Sequence, residues 1–189
     1  MDFFKYVMVL ASVIIGLAVT HLLQGVARLI QDPAREKPYW VHLLWVGFTF
    51  LNALLLWWWE FQLSKASHWT FELYLFVILF SVVLYLICAV LMPSDLGHYD
   101  GYRAYYYSRR RWLLGLVLIF GLLDFVDSAV KGRDHLMSLG WIYFVFVASR
   151  PMLLIAAMNT RNAKFHGAVA LIFSGELLTM AFRSFHTMQ

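Results

Sequence analysis

The sequence is short of charge and almost without cysteine. Only 14% of its 189 residues are Asp, Glu, Lys or Arg, while 62% are hydrophobic. Soluble domains carry roughly a quarter charged residues and about half apolar ones. An ordinary water-soluble domain is therefore excluded. The one cysteine, Cys88, rules out an intramolecular disulfide and a thiolate metal cluster. No lysine falls deep in an apolar run, so a retinal-type Schiff base has no anchor. A Walker loop, HExxH, GxSxG, CxxCH and kinase or nucleotide fingerprints are also missing, and nothing points to an enzyme. The net charge of +4 does not signal nucleic acid, because the basic residues fall between apolar runs.

What is present is a series of long apolar runs. Six can be read: about 3–30, 40–63, 69–92, 112–130, 139–158 and 165–185. Each is near or above the roughly 20 residues a spanning helix needs. Backbone groups in hydrocarbon must bond within their own segment, so the runs are expected to be helices. The first lacks a closing small-x-small site and reads as a span rather than a cleavable signal; no lipidation motif is seen. The expected fold is all-α: one polytopic bundle over 1–189, with six transmembrane helices and the lipid bilayer as its first partner. Short connections make successive helices antiparallel. Echoes between "IIGL" and "IFGL", and between "ILFSVVL" and "LIFSGEL", suggest a 3+3 inverted repeat.

Lys and Arg set the orientation. The first, third and fifth connections hold Arg28, Arg35, Lys37, Arg103, Arg109, Arg110, Arg111, Arg161 and Lys164, nine against five in the termini and the other two connections, with Arg150 inside a run. The positive-inside rule then places both termini outside the cytoplasm. Trp57, Trp58 and Trp59 read as an aromatic belt at the outer interface. Arg109, Arg110 and Arg111 read as an inner-surface contact with anionic headgroups.

Polar residues inside the runs are the candidate site. Asp124 lies twelve residues past Trp112, about 18 Å into the helix, and Asp127 lies about one turn further on the same face. A carboxylate facing lipid at mid-depth costs at least about 2.5 kcal/mol. These two should therefore face the bundle interior. Arg150, Glu176 and Asn52 reach similar depth in their own helices. Pro151 removes a helix hydrogen bond, freeing a carbonyl near Val147, and marks a kink suited to gating. Three acids against one base suit a proton or cation pathway through Asp124, Asp127 and Glu176, tuned by Arg150. A structural ion-pair network in a non-catalytic sensor or assembly module is the competing reading, with a protein partner. Homo-oligomerisation is expected because a small bundle leaves little room for a sealed path.

The histidines give a third reading. His21 and His42 lie at matching depth near the inner boundary, where they could clamp a haem or contribute to a metal site. The bland alternative treats them as interfacial histidines without a cofactor. His21, Gln24 and Arg28 form a polar stripe, and Gly16 and Gly25 offer close helix contact.

The segments "HLLQGVARLI", "YWVHLLW", "WWWEF" and "PSDL" with "YYYSRRRW" resemble a group of short bacterial multi-pass membrane proteins of no established activity. The resemblance covers roughly the first two-thirds of the chain. It implies a bacterial inner-membrane location and no mechanism.

Overall fold

A computed structural model describes residues 3–60 and 70–186; the side chains of 3, 4, 57–60 and 183–186 fall outside the description. The chain is helical, with no strand among the described residues. Its elements are α1 (Phe3–Gln31), α2 (Pro33–Glu36), α3 (Trp40–Glu60), α4 (Phe71–Leu91), α5 (Tyr102–Val130), α6 (Arg133–Ser138), α7 (Gly140–Asn159) and α8 (Ala163–His186). Five of them, α1, α4, α5, α7 and α8, are long and apolar enough to cross a membrane, and α3 adds a shorter apolar stretch, Trp40–Leu56. This is a polytopic all-α membrane protein.

α1 packs along α4, α4 along α5, α5 along α7 and α3 along α8. On α1 the buried residues Ala11, Ile15, Ala18, Leu22 and Leu29 recur at three and four residues, a seam like that of a coiled coil. Gly25 continues the seam: a Cβ there would come within 2.5 Å of the Met92 side chain. Gly16 instead has open space around it, so only one of the two expected glycine contacts exists. The residues between the seams, such as Val9, Leu17, Ile30, Trp141 and Met152, are exposed and apolar, as a lipid-facing surface requires.

The two halves of the chain pack differently. α1 and α4 share the most extensive contact, whereas α5 and α8, their counterparts in a repeat, barely touch. The sequence echoes are not matched by this helix pairing.

α5 begins at Tyr102, well before the apolar run at Trp112. Hydropathy hides this first part because it is rich in Tyr and Arg. Its length, 29 residues, corresponds to about 43 Å, more than the roughly 30 Å of hydrocarbon. The extension is anchored by Tyr102 and Tyr106, both buried. Gly101 starts it with φ 87 and sits so close to Lys37 that a Cβ would collide with that side chain. The Tyr102 amide donates to the Lys37 carbonyl at 3.2 Å, and Lys37 pairs with Asp100. The connections α1–α3, α4–α5 and α7–α8 thus form one end, the basic end; α5–α7 lies at the opposite, distal end.

Candidate functional site

The central feature is a cavity of about 120 Å³ among α3, α5, α7 and α8. It runs from Lys131, His135 and Leu139 at the distal end to Phe48, Leu154 and Phe173 near mid-helix. Its volume is well above the roughly 10–15 Å³ of such space that a single water needs.

α5 supplies most of its polar wall. Asp124, Asp127 with Ser128, and Lys131 recur at one-turn intervals and share a face. α7 presents Tyr143, Val147, Arg150 and Leu154 by the same spacing. Arg150 bridges two helices: Nη1 donates to Asp124 Oδ2 of α5 at 3.3 Å, and Nη2 donates to Glu176 Oε1 of α8. The Tyr143 hydroxyl donates toward Asp124 Oδ2 at 3.3 Å and toward Ser128 Oγ at 3.2 Å. Lys131 Nζ donates to Asp127 Oδ2 at 2.6 Å. Asp127 Oδ1 is buried without a hydrogen-bond partner among the described residues. Asp127 is 5% exposed and Glu176 3%.

The structure brings Asp124, Arg150 and Glu176 into one connected set; Asp124 and Arg150 line the cavity with Asp127 and Asn52, and Glu176 joins them through Arg150. Asn52 Nδ2 bonds its own helix at the Phe48 carbonyl, 2.9 Å away. α7 runs through Pro151 as one helix. Proline lacks the N–H that would bond the Val147 carbonyl, and both residues line the cavity. Sequence reading missed Lys131, which it assigned to a loop, and Tyr143, one of ten tyrosines. The i,i+4 spacing of Asp127 and Lys131 was the available signal for the former. With Lys131 the tally among the described residues becomes three carboxylates, Asp124, Asp127 and Glu176, against two bases, Arg150 and Lys131.

At the distal rim, His135 lines the cavity on α6. Burial, with the neighbouring Lys131 ammonium, pushes its imidazole below the ordinary range, partly offset by Asp124. At the deep end an aromatic group closes the space. Trp45 packs against Phe48 and Phe173 with ring centroids 5.5 Å apart in each pair, and Phe48 lies 5.9 Å from Phe173.

The histidines proposed for haem have other partners. The C-terminus of α4 leaves carbonyls without helix donors, as every helix end does. Tyr105 Oη donates to the Val90 carbonyl at 2.7 Å, His42 Nε2 to Leu91 at 2.8 Å, His21 Nε2 to Met92 at 2.7 Å, and Arg28 Nη2 to Pro93 at 2.7 Å. Four consecutive carbonyls are thus capped by side chains from α1, α3 and α5. A histidine whose Nε2 proton is donated to a carbonyl does not offer that nitrogen to iron. No group of three His, Cys, Asp or Glu suited to a metal occurs among the described residues. The polar stripe of His21 and Arg28 on α1 therefore serves helix capping.

Of the interfacial residues, Arg109 and Arg111 are exposed, while Arg110 turns back to the Tyr107 carbonyl at 2.6 Å. Only two members of the "RRR" run face outward. The side chains of Trp57, Trp58 and Trp59 lie outside the described residues. Comparison with family models, curated proteins and solved structures gives no match for this chain.

Proposed function

We propose that this integral membrane protein carries protons or another small cation, with the distal cavity as the entry half of the route. One observation carries the reading: among the described residues the buried Asp127 carboxylate keeps an unpartnered oxygen on the cavity, in a cluster with one more acid than base. A low-dielectric site bearing an unmatched negative charge is costly unless a proton or cation joins it. Asp124, Asp127 and Glu176 hold the charge, Arg150 sets its position, and Pro151 with the free Val147 carbonyl gives α7 a place to bend.

The positive-inside rule puts the basic end in the cytoplasm and both termini outside. The distal cavity then faces the exterior of a bacterial inner membrane. The cavity is lined by one chain, so the reading does not depend on a homo-oligomer. No catalytic step is assigned.

Proton flux into liposomes holding the full-length protein tests this. Asp127→Asn combined with Lys131→Met, which strands neither charge, should abolish flux while the protein remains folded, and Glu176→Gln, which leaves Arg150 its Asp124 partner, should do the same. Wild-type flux equal to that of protein-free liposomes contradicts the reading.

A second reading has its own support. Arg150 ties α5 to α8, and α7 itself buries only Tyr143, Leu154 and Ala157. In that case the network is the glue that seats α7, and the chain is a sensor or assembly module for a protein partner. Glu176→Gln would then unfold the protein while wild type conducts nothing.

A further inference from the structure

The buried polar groups of α3 fall on one face. His42, Trp45, Thr49 and Asn52 recur at three, four and three residues and are 1%, 0%, 1% and 7% exposed. Three of their atoms, His42 Nδ1, Trp45 Nε1 and Thr49 Oγ1, have no hydrogen-bond partner among the described residues. Buried polar atoms are ordinarily bonded to protein or to ordered water, and each orphan costs about 1–3 kcal/mol. The Trp45 indole N–H faces the Tyr106 hydroxyl, which leaves His42 Nδ1 and Thr49 Oγ1 as the atoms on this face that a water would satisfy.

The face leads somewhere at both ends. Asn52 lines the distal cavity. Trp45 has the Tyr106 hydroxyl as its polar neighbour. That hydroxyl donates to His166 Nδ1 at 2.8 Å, and His166 Nε2 donates to the Thr160 carbonyl at 3.1 Å. Thr160 lies in the α7–α8 connection, at the basic end. Between the cavity and that end, the chain's own polar atoms are therefore arranged as a line.

We propose that water held by Thr49, beside Trp45, joins the cavity to the Tyr106–His166 pair and forms the second half of a path that passes protons and no metal cation, an inference that rests on the transport reading above. The indole N–H donates and cannot accept, so Trp45 orients the Tyr106 oxygen and does not itself pass a proton. The phenol and the imidazole both donate and accept. A proton taken up by the Tyr106 oxygen releases the phenolic proton to Nδ1. The imidazolium then loses its Nε2 proton to water at the Thr160 end, which leaves the Nδ1–H form; rotation of the ring brings Nδ1 to that water, and exchange there of the Nδ1 proton for one on Nε2 returns the starting tautomer. A hydrated cation finds no such exchange, and Trp45, Phe48 and Phe173 close the space it would need.

Full-length protein in liposomes tests this with a pH-sensitive dye, with sodium and potassium flux measured alongside. Thr49→Val keeps the side-chain shape and removes the hydroxyl; His166→Gln removes the relay base. Both should lose proton flux, Ser81→Ala on α4 should keep it, and neither metal cation should cross in wild type. Thr49→Val alone decides the matter if His166→Gln fails to fold. Undiminished flux in Thr49→Val, with the Asp127→Asn, Lys131→Met double variant still inactive, overturns the α3 path and leaves the cavity reading standing. Sodium or potassium flux comparable with proton flux also overturns it. A wild type that carries nothing overturns both.

Discussion

Lys131 Nζ lies 2.6 Å from Asp127 Oδ2, one helical turn away, and both side chains are almost wholly buried, 6% and 7% exposed. Removing one partner of a buried pair strands the other charge, at about 3–5 kcal/mol, whereas removing both is often close to neutral. Lys131→Met should therefore lower thermal stability sharply. The double variant Asp127→Asn with Lys131→Met should recover most of the loss. A melting series in detergent reads this directly, and equal melting of the single and double variants would contradict the pairing.

His135 gives a pH dependence with a defined sign. Its imidazole is pushed below the ordinary value near 6.5, first by burial and then by Lys131, with Asp124 opposing. Between its folded value and 6.5 the unfolded chain binds the extra proton, so stability falls as pH drops through that window. His135→Gln should reduce the loss of stability seen on going from neutral to mildly acidic pH. Melting curves of both proteins across that range check it; parallel curves would remove His135 as a contributor.

The two glycines of α1 should behave oppositely. Gly25→Ala drives a Cβ into Met92, which is fully buried, so α1 and α4 must shift. Overpacking of this kind costs about 1–3 kcal/mol. Gly16→Ala meets nothing and replaces a poor helix former, so it should hold or raise stability by up to about 1 kcal/mol. Thermal melts of the pair suffice; similar effects from both would mean the α1–α4 seam is not where the packing places it.

Capping of α4 predicts the behaviour of the histidines. His42→Phe leaves the Leu91 carbonyl buried without its donor, a loss of about 1–3 kcal/mol. Met92 loses its cap in His21→Phe. Both variants should melt lower, and the visible spectrum of purified wild type should lack a Soret band. A Soret band lost in either variant would restore the haem reading.

The fold was legible because each apolar run states its own length and solvent. The depth of Asp124, Arg150 and Glu176 also followed from helix rise, and the three do meet. What the sequence hid has physical causes. Lys131 looked like a loop residue because apolar periodicity ends just before it, though the helix runs to Val130 and the ammonium folds back to Asp127. The start of α5 is masked by its tyrosines and arginines, which interrupt the apolar run. The α4 cap joins residues far apart in the chain, such as His42 and Leu91, which no local spacing announces.

A map of the protein in lipid nanodiscs, fine enough to place ordered water, tests the central claim most directly. Density within about 2.7–3.2 Å of Asp127 Oδ1, continuing through the cavity past Asn52, is the expected result. A dry cavity, with Asp127 turned onto a protein donor, would mean that the charges only hold helices together.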